Sequence, residues 1–159
     1  MKYSVASIRY PSLVSSLEYI SVDLFFYGCS RRCIGCHNPE LWEFKNPNLS
    51  AEEIVEIVNL AERAKVVTLM GGEPLEQENL IYLLGKLRET GKMLSLCTGF
   101  KLNEIPREVL ELLSFVKTGA YIDSDRTPFK SFLSSKNQIF YSKVNDNWEI
   151  SWEYRKEGY

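Results

Sequence analysis

The chain has 159 residues, of which 45% are hydrophobic and 25% charged, a composition that predicts one globular domain over residues 1–159 with a substantial apolar core. A formal net charge of -2 and a pI near 5.6 argue against a general nucleic-acid binder, which would need a basic face. No apolar run approaches the length of a membrane span and we find no signal peptide, so we expect a cytoplasmic protein in a reducing compartment.

The first half of the chain predicts two strands separated by a helix. Residues 21–27 are rich in β-branched and aromatic side chains, which is typical of a strand. A capping box at Ser50 and Glu53 predicts the start of a helix. The apolar run at 65–70 predicts a buried parallel strand. The buried face of the helix is predicted to contain Ile54, Ile57, Val58 and Ala61.

The alternation continues through residue 118 and then changes. Leucines at helical spacing predict a second helix, followed by a strand at 93–97, a helix at 106–113 and a strand at 115–118. This alternation favours a parallel α/β sheet. Residues 124–136 are predicted to be a polar connection. A terminal β-hairpin is predicted from 138–144 and 148–154. The leucines of the second helix are Leu80, Leu83, Leu84 and Leu87.

Three of the four cysteines, Cys29, Cys33 and Cys36, follow the first predicted strand within eight residues, whereas Cys97 is distant. An odd number of crowded thiols in a cytosolic protein favours metal binding over disulfides. Structural zinc usually takes four ligands, commonly as two separated pairs, and the second pair is missing here. An iron–sulfur cluster with three thiolate ligands and one open iron is therefore favoured over zinc or inert thiols. Cys97 is predicted to be a buried strand thiol.

Two further segments follow predicted strands. Gly71-Gly72-Glu73-Pro74 follows the second strand and Thr98-Gly99 the third. Because ligands gather at the carboxyl ends of parallel strands, we expect these segments to share one edge with the cysteine loop. Residues 71–74 could also be a plain strand-to-helix turn. A glycine pair, however, lets backbone carbonyls approach a ligand, and Glu73 adds an acceptor for an ammonium group such as that of an amino acid.

The CxxxCxxC motif at 29–36 together with GGEP at 71–74 resembles the radical S-adenosylmethionine enzymes. Further segments narrow the resemblance to the small activating subunits of anaerobic ribonucleotide reductase, across residues 22–150. Those segments are Gly28-Cys29, Gly35-Cys36-His37-Asn38-Pro39-Glu40-Leu41-Trp42, residues 71–77, Thr98-Gly99-Phe100 and Asn137-Gln138.

This resemblance implies two cofactors, a [4Fe-4S] cluster and S-adenosyl-L-methionine. Reductive cleavage of S-adenosylmethionine would give a 5′-deoxyadenosyl radical, which takes a hydrogen from one glycine of a partner protein. The implied cluster ligands are Cys29, Cys33 and Cys36. The residues implied at S-adenosylmethionine are Gly71, Gly72 and Glu73 at the methionine amine, Pro74 shaping that turn, Thr98 as a further contact, and His37 at the adenine or the loop.

The resemblance also implies partners and a fold. The partners are the large catalytic subunit of anaerobic ribonucleotide reductase and a low-potential electron donor such as flavodoxin or ferredoxin, with no direct nucleic-acid or membrane contact. The expected fold class is α/β: a partial (β/α) barrel of parallel strands with outer helices, open on one side, ending in a C-terminal β-hairpin. The open side suits a macromolecular substrate.

The sequence also allows other functional interpretations. The chain could be another small radical S-adenosylmethionine enzyme, acting on a different glycyl-radical protein or on a metabolite. It could also be a non-catalytic iron–sulfur electron carrier or a zinc module, which GGEP weighs against. Arg31 and Arg32, inside the cysteine loop, are predicted to be a solvated pair, with a charge-balancing or partner-binding role as the alternative.

Overall fold

The computed structural model describes residues 1–128 and 132–154. Residues 129–131 of the predicted polar connection, and residues 155–159, lie outside the described residues. The strands are β1 (Lys2–Tyr3), β2 (Val5–Ser12), β3 (Ser21–Phe26), β4 (Leu49–Ser50), β5 (Val66–Gly71), β6 (Met93–Cys97), β7 (Phe115–Thr118), β8 (Ile139–Val144) and β9 (Asn147–Glu153). The α-helices are α1 (Ala51–Leu60), α2 (Leu80–Arg88) and α3 (Arg107–Leu112). Short 3-10 turns lie at Pro39–Leu41, Pro74–Glu76, Leu102–Glu104 and Asp123–Asp125.

Within the described residues, seven strands form one sheet in the order β2-β3-β5-β6-β7-β8-β9. The four central strands, β3, β5, β6 and β7, are parallel, as the alternation of strands and helices predicted. Antiparallel strands flank them, with β2 on one side and the predicted hairpin β8–β9 on the other. The sheet is therefore an open partial barrel. Strand β2, which sequence patterning left unassigned, extends it beyond β3.

The parallel strands carry different side chains on their two faces. One face packs on the helices, where Leu24, Leu69 and Leu96 are fully buried in one apolar cluster with residues of α1, α2 and α3. The opposite, concave face carries a polar row that crosses three neighbouring strands in register. That row consists of Asp23, Thr68 and Ser95, all buried. The hydroxyls of Ser15 and Ser21 donate to the Asp23 carboxylate, so the loop before β3 covers this face.

The helices follow the predicted apolar spacing with one exception. The Ser50 hydroxyl accepts from the Glu53 amide at 3.1 Å, and the Glu53 carboxylate accepts from the Ser50 amide at 2.7 Å, which confirms the capping box of α1. Ile54 and Val58 are fully buried, but Ile57 is 38% exposed. Its predicted place in the core is wrong because it lies about 60° around the helix from Ile54, at the edge of the apolar stripe.

None of the helices in residues 1–128 and 132–154 combines the length and the apolar character that crossing a membrane requires.

Candidate functional site

The predicted site residues come together at the carboxyl edge of the parallel strands. The cysteine loop follows β3, Gly71 is the last residue of β5 with Gly72 directly after it, and Thr98 follows β6. Pro74 is buried behind the edge, where it begins the 3-10 turn Pro74–Glu76. All the other predicted site residues line one cavity of about 200 Å³, namely Cys29, Cys33, Cys36, His37, Gly71, Gly72, Glu73 and Thr98.

The cysteine loop is anchored through its first residues. Gly28 adopts a left-handed conformation with φ +93°, and its amide donates to the Leu41 carbonyl at 2.8 Å. The Cys29 amide donates to the Trp42 carbonyl at 3.0 Å, and the Ser30 amide donates to the Glu76 carboxylate at 2.8 Å. Burial raises the pKa of the Cys29 thiol above its ordinary value. A metal bound here would offset that rise, since the thiolate is its ligand.

The donor set fits an iron–sulfur cluster, because three cysteine thiols from one loop share a single cavity. Cys29 is buried, whereas Cys33 and Cys36 are half-buried. In the part of the chain that the structure describes, no three His, Cys, Asp or Glu side chains are grouped closely enough to hold a single metal ion. The three thiols are thus distributed around the cavity wall.

The glycine pair brings two loops into close contact. The Gly72 amide donates to the Phe26 carbonyl and the Glu73 amide to the Gly28 carbonyl, both at 2.8 Å. A Cβ atom at Gly72 would lie 2.3 Å from the Gly28 oxygen, and one at Gly71, where φ is +111°, would lie 2.6 Å from the Phe26 nitrogen. Gly71 is therefore required for packing against strand β3 and Gly72 for packing against the start of the cysteine loop, in addition to any approach of their carbonyls to a ligand.

The Glu73 carboxylate ties the loop after β5 to the loop after β6. It accepts from the Thr98 hydroxyl at 2.7 Å, the Gly99 amide at 2.9 Å and the Leu75 amide at 3.1 Å, and its side chain is almost fully buried. Burial raises the pKa of Glu73, while these hydrogen bonds and the Arg31 guanidinium, at 3.9 Å, oppose the rise. Much of its acceptor capacity is thus used inside the protein.

His37 is exposed at the end of the cysteine loop, and its ring packs against Tyr121 with centroids 4.9 Å apart. This contact is a third one, because the partners expected for His37 were the adenine and the cysteine loop, and Tyr121 follows β7. The Tyr121 hydroxyl donates to the Asp123 carboxylate at 2.9 Å, and that carboxylate lies directly against Gly35. The segment after β7 thus contacts the second half of the cysteine loop.

The two arginines of the loop behave differently. Arg32 pairs with exposed Glu43 at 3.0 Å, in agreement with a solvated residue. Arg31 is not solvated in this way, because its guanidinium lies 4.0 Å from the centroid of Phe100 and its side chain lines the cavity. The prediction of a solvated pair is therefore wrong for Arg31.

Sequence reasoning missed two cavity residues on adjacent strands, Cys97 and Lys117. They are partners in the register of β6 and β7. Cys97 is a strand thiol as predicted, but it is half-buried instead of buried, because it lines the cavity and not the apolar core. Desolvation by the surrounding protein raises the pKa of its thiol above the ordinary value. Strand alternation gave a usable signal, because Leu94 and Leu96 mark the helix-facing side and so place Ser95 and Cys97 on the other.

A second cavity, of about 830 Å³, adjoins the first. The two share Arg31, Gly99, Gly119 and Ala120 in their walls. The second cavity extends along the loop after β6 towards Ile122 and Tyr141. Its volume lies in the range of about 300–1,000 Å³ that is typical of ligand sites.

The sheet topology and the cysteine-lined cavity at its carboxyl edge define an iron–sulfur protein built on a partial barrel. A solved structure supports this fold: QueE from Escherichia coli superimposes with a TM-score of 0.58 over 74% of this chain and 70% of that chain, at 17% identity. A family model described as "4Fe-4S single cluster domain" matches residues 20–141. The chain belongs to this family.

Curated relatives extend the similarity over most of the chain. The anaerobic ribonucleoside-triphosphate reductase-activating protein of Haemophilus influenzae is 27% identical over 146 residues, covering 83% of this chain and 94% of the relative. The protein of the same name from Enterobacteria phage T4 is 29% identical over 138 residues, covering 80% of this chain and 87% of the relative. The pyruvate formate-lyase-activating enzyme of Staphylococcus aureus is 37% identical over 83 residues, 47% of this chain and 32% of the relative. The resemblance stated from the motifs is thereby confirmed.

Proposed function

We propose that the chain is an iron–sulfur activating enzyme that reductively cleaves S-adenosylmethionine and generates a glycyl radical on the large subunit of anaerobic ribonucleotide reductase. One observation carries the proposal: the cysteine loop, the Gly71-Gly72-Glu73 turn and Thr98 line a single cavity. The relatives named as reductase-activating proteins, which this chain covers over 87–94% of their length, support the choice of partner.

Cys29, Cys33 and Cys36 would hold a [4Fe-4S] cluster, leaving one iron for the methionine end of S-adenosylmethionine. When bound, these groups supply an electron and a carbon-centred radical, so the chain's own task is to bind, orient and exclude water. The carbonyl groups of the Gly71–Glu73 turn are the available acceptors for the methionine amine, because the Glu73 carboxylate already accepts from three donors.

Three further residues complete the proposed S-adenosylmethionine site. The ammonium of Lys117, which lines the same cavity, is a suitable partner for the methionine carboxylate. Thr98 contributes by fixing Glu73, since its hydroxyl donates to that carboxylate. His37 stays available for the adenine on its exposed face, because Tyr121 contacts the ring from another element.

The glycine-bearing segment of the partner would reach the radical through the second cavity. That cavity shares a wall with the first, so a chain lying in it comes close to the reacting atoms without passing through the core. The electron would come from a low-potential donor such as flavodoxin or ferredoxin, in the cytoplasm. An external donor is required because each cleavage consumes one electron from outside the chain.

The test is anaerobic reconstitution of the chain with iron and sulfide, followed by reduction and mixing with S-adenosylmethionine and the candidate large subunit. A glycyl-radical resonance on the large subunit, with stoichiometric 5′-deoxyadenosine, supports the proposal. Tight mononuclear metal binding without S-adenosylmethionine cleavage would overturn it. An electron carrier would take up a cluster and show neither binding nor cleavage of S-adenosylmethionine.

A second candidate function is activation of a different glycyl-radical protein. The 37% identity to pyruvate formate-lyase-activating enzymes, over 83 residues, favours it. The two candidates separate in one competition experiment, in which the reduced enzyme receives both the reductase subunit and pyruvate formate-lyase. The protein that acquires the radical first identifies the partner.

A further inference from the structure

The segment after β7 forms a contact with the cysteine loop that lies apart from the strand edges. The Tyr121 ring packs on His37 with centroids 4.9 Å apart and an interplanar angle of 51°. The Tyr121 hydroxyl donates to Asp123 Oδ1 at 2.9 Å. A Cβ atom at Gly35 would lie 2.6 Å from that same oxygen, so the carboxylate rests on the backbone of the loop. Two side chains of one segment thus meet the residues on either side of Cys36.

This contact falls on the half of the loop that needs support. The first half is tied down directly, by hydrogen bonds from Gly28 and Cys29 to the backbone of residues 41–42, which follow the loop, and from Ser30 to Glu76. In the second half, the Cys36 amide donates to the Cys33 carbonyl at 3.1 Å, which closes a turn within the loop itself. That hydrogen bond does not fix the orientation of the turn relative to Cys29. A cluster, however, requires all three thiols to be correctly placed at the same time.

We propose that Tyr121 and Asp123 are positioning residues, which hold the Cys36 half of the loop where its thiol can share a cluster with Cys29 and Cys33. The hydrogen bond between them fixes the Asp123 carboxylate against Gly35, and the Tyr121 ring covers His37. Gly35 is required here because its φ is +72° and because any side chain would displace Asp123. The inference rests on the proposed function only in taking an iron–sulfur cluster as the ligand.

The first test uses the metal-free chain and amide hydrogen exchange at Cys36. Tyr121→Phe removes the hydroxyl and keeps the ring on His37. Loss of one net hydrogen bond predicts exchange at Cys36 that is about 2- to 10-fold faster. Tyr82→Phe is the matched control, because the hydroxyl of Tyr82, in α2, also donates to a carboxylate, that of Glu52 in α1, at 3.0 Å. It should leave exchange at Cys36 unchanged.

The second test measures release of iron from the reconstituted chain to a chelator. Tyr121→Phe and Asp123→Ala should release iron about 2- to 10-fold faster than the unmodified chain. Asp123→Asn keeps an oxygen that accepts from Tyr121, so it should stay within 2-fold. Equal rates for Tyr121→Phe and Tyr82→Phe in both tests would overturn the inference. Failure of the unmodified chain to take up iron refutes the proposed function instead, and hydrogen exchange still decides the role of Tyr121.

Discussion

Replacing Gly72 by alanine should separate the two loops that form the cavity. The added Cβ atom would lie 2.3 Å from the Gly28 oxygen and 2.8 Å from its carbonyl carbon, both backbone atoms that cannot rotate away. The loops must move apart by about 1 Å, at a cost of about 1–3 kcal/mol for overpacking. The hydrogen bond from the Glu73 amide to the Gly28 carbonyl is lost as well, at about 1–2 kcal/mol.

The free energy of unfolding of the metal-free chain should therefore fall by about 2–5 kcal/mol, a large share of the total for a domain of this size. Urea unfolding followed by tryptophan fluorescence measures it. Gly85→Ala is the control, since Gly85 lies within α2 with nothing within 4 Å of its added Cβ atom. It should raise stability by about 0.5–1 kcal/mol. A Gly72→Ala chain within 0.5 kcal/mol of the unmodified one would refute the packing argument.

Three further predictions concern single side chains. Cys33→Ala should lose both the iron–sulfur absorbance and S-adenosylmethionine cleavage. Cys97→Ala, which changes a cavity thiol outside the loop, is the control and should keep its iron. Retained cleavage in Cys33→Ala would contradict the ligand assignment. Burial raises the pKa of Glu73 above its ordinary value of 4.5. The stability of the unmodified chain relative to Glu73→Gln should therefore be greatest below pH 4.5 and decline as the pH rises through the raised pKa. Urea titrations at several pH values measure this stability difference, and a difference that grows with pH would contradict the prediction. Thr68→Val should raise the free energy of unfolding by about 1 kcal/mol, because the buried Thr68 hydroxyl has no hydrogen-bond partner among the described residues. Thr98→Val should lower it by about 1–3 kcal/mol, because the Thr98 hydroxyl donates to Glu73. Calorimetry measures both changes, and equal effects would show that the two hydroxyls do not differ as the structure indicates.

The central strands and the site edge could be predicted from the sequence because their signals are local. The run at 65–70 and the leucines of α2 bury one continuous face, and their spacing identifies the element. The cysteine, glycine and threonine segments each follow a strand, so parallel pairing brings them together without further information.

The remaining features depend on contacts between distant parts of the chain. The packing of Tyr121 on His37 joins residues 84 positions apart, and no periodicity marks it. The use of Gly72 to approach Gly28 was likewise invisible, because a glycine pair looks the same whether it faces a ligand or another loop. Ile57 was wrongly predicted to be in the core, because the helical spacing of apolar residues identifies the buried stripe of α1 but not where that stripe ends.

The order of the strands has a consequence for how the molecule fluctuates. Each of β3, β5, β6 and β7 is hydrogen-bonded on both sides, whereas β2 and β9 have one neighbour each in the described sheet. Fraying therefore begins at the outer strands, and one ladder on the β2 side and three on the β9 side must open before it reaches β3 or β6. The three strands that present the cysteine, glycine and threonine segments should thus stay registered with one another through thermal motions that open both margins of the sheet.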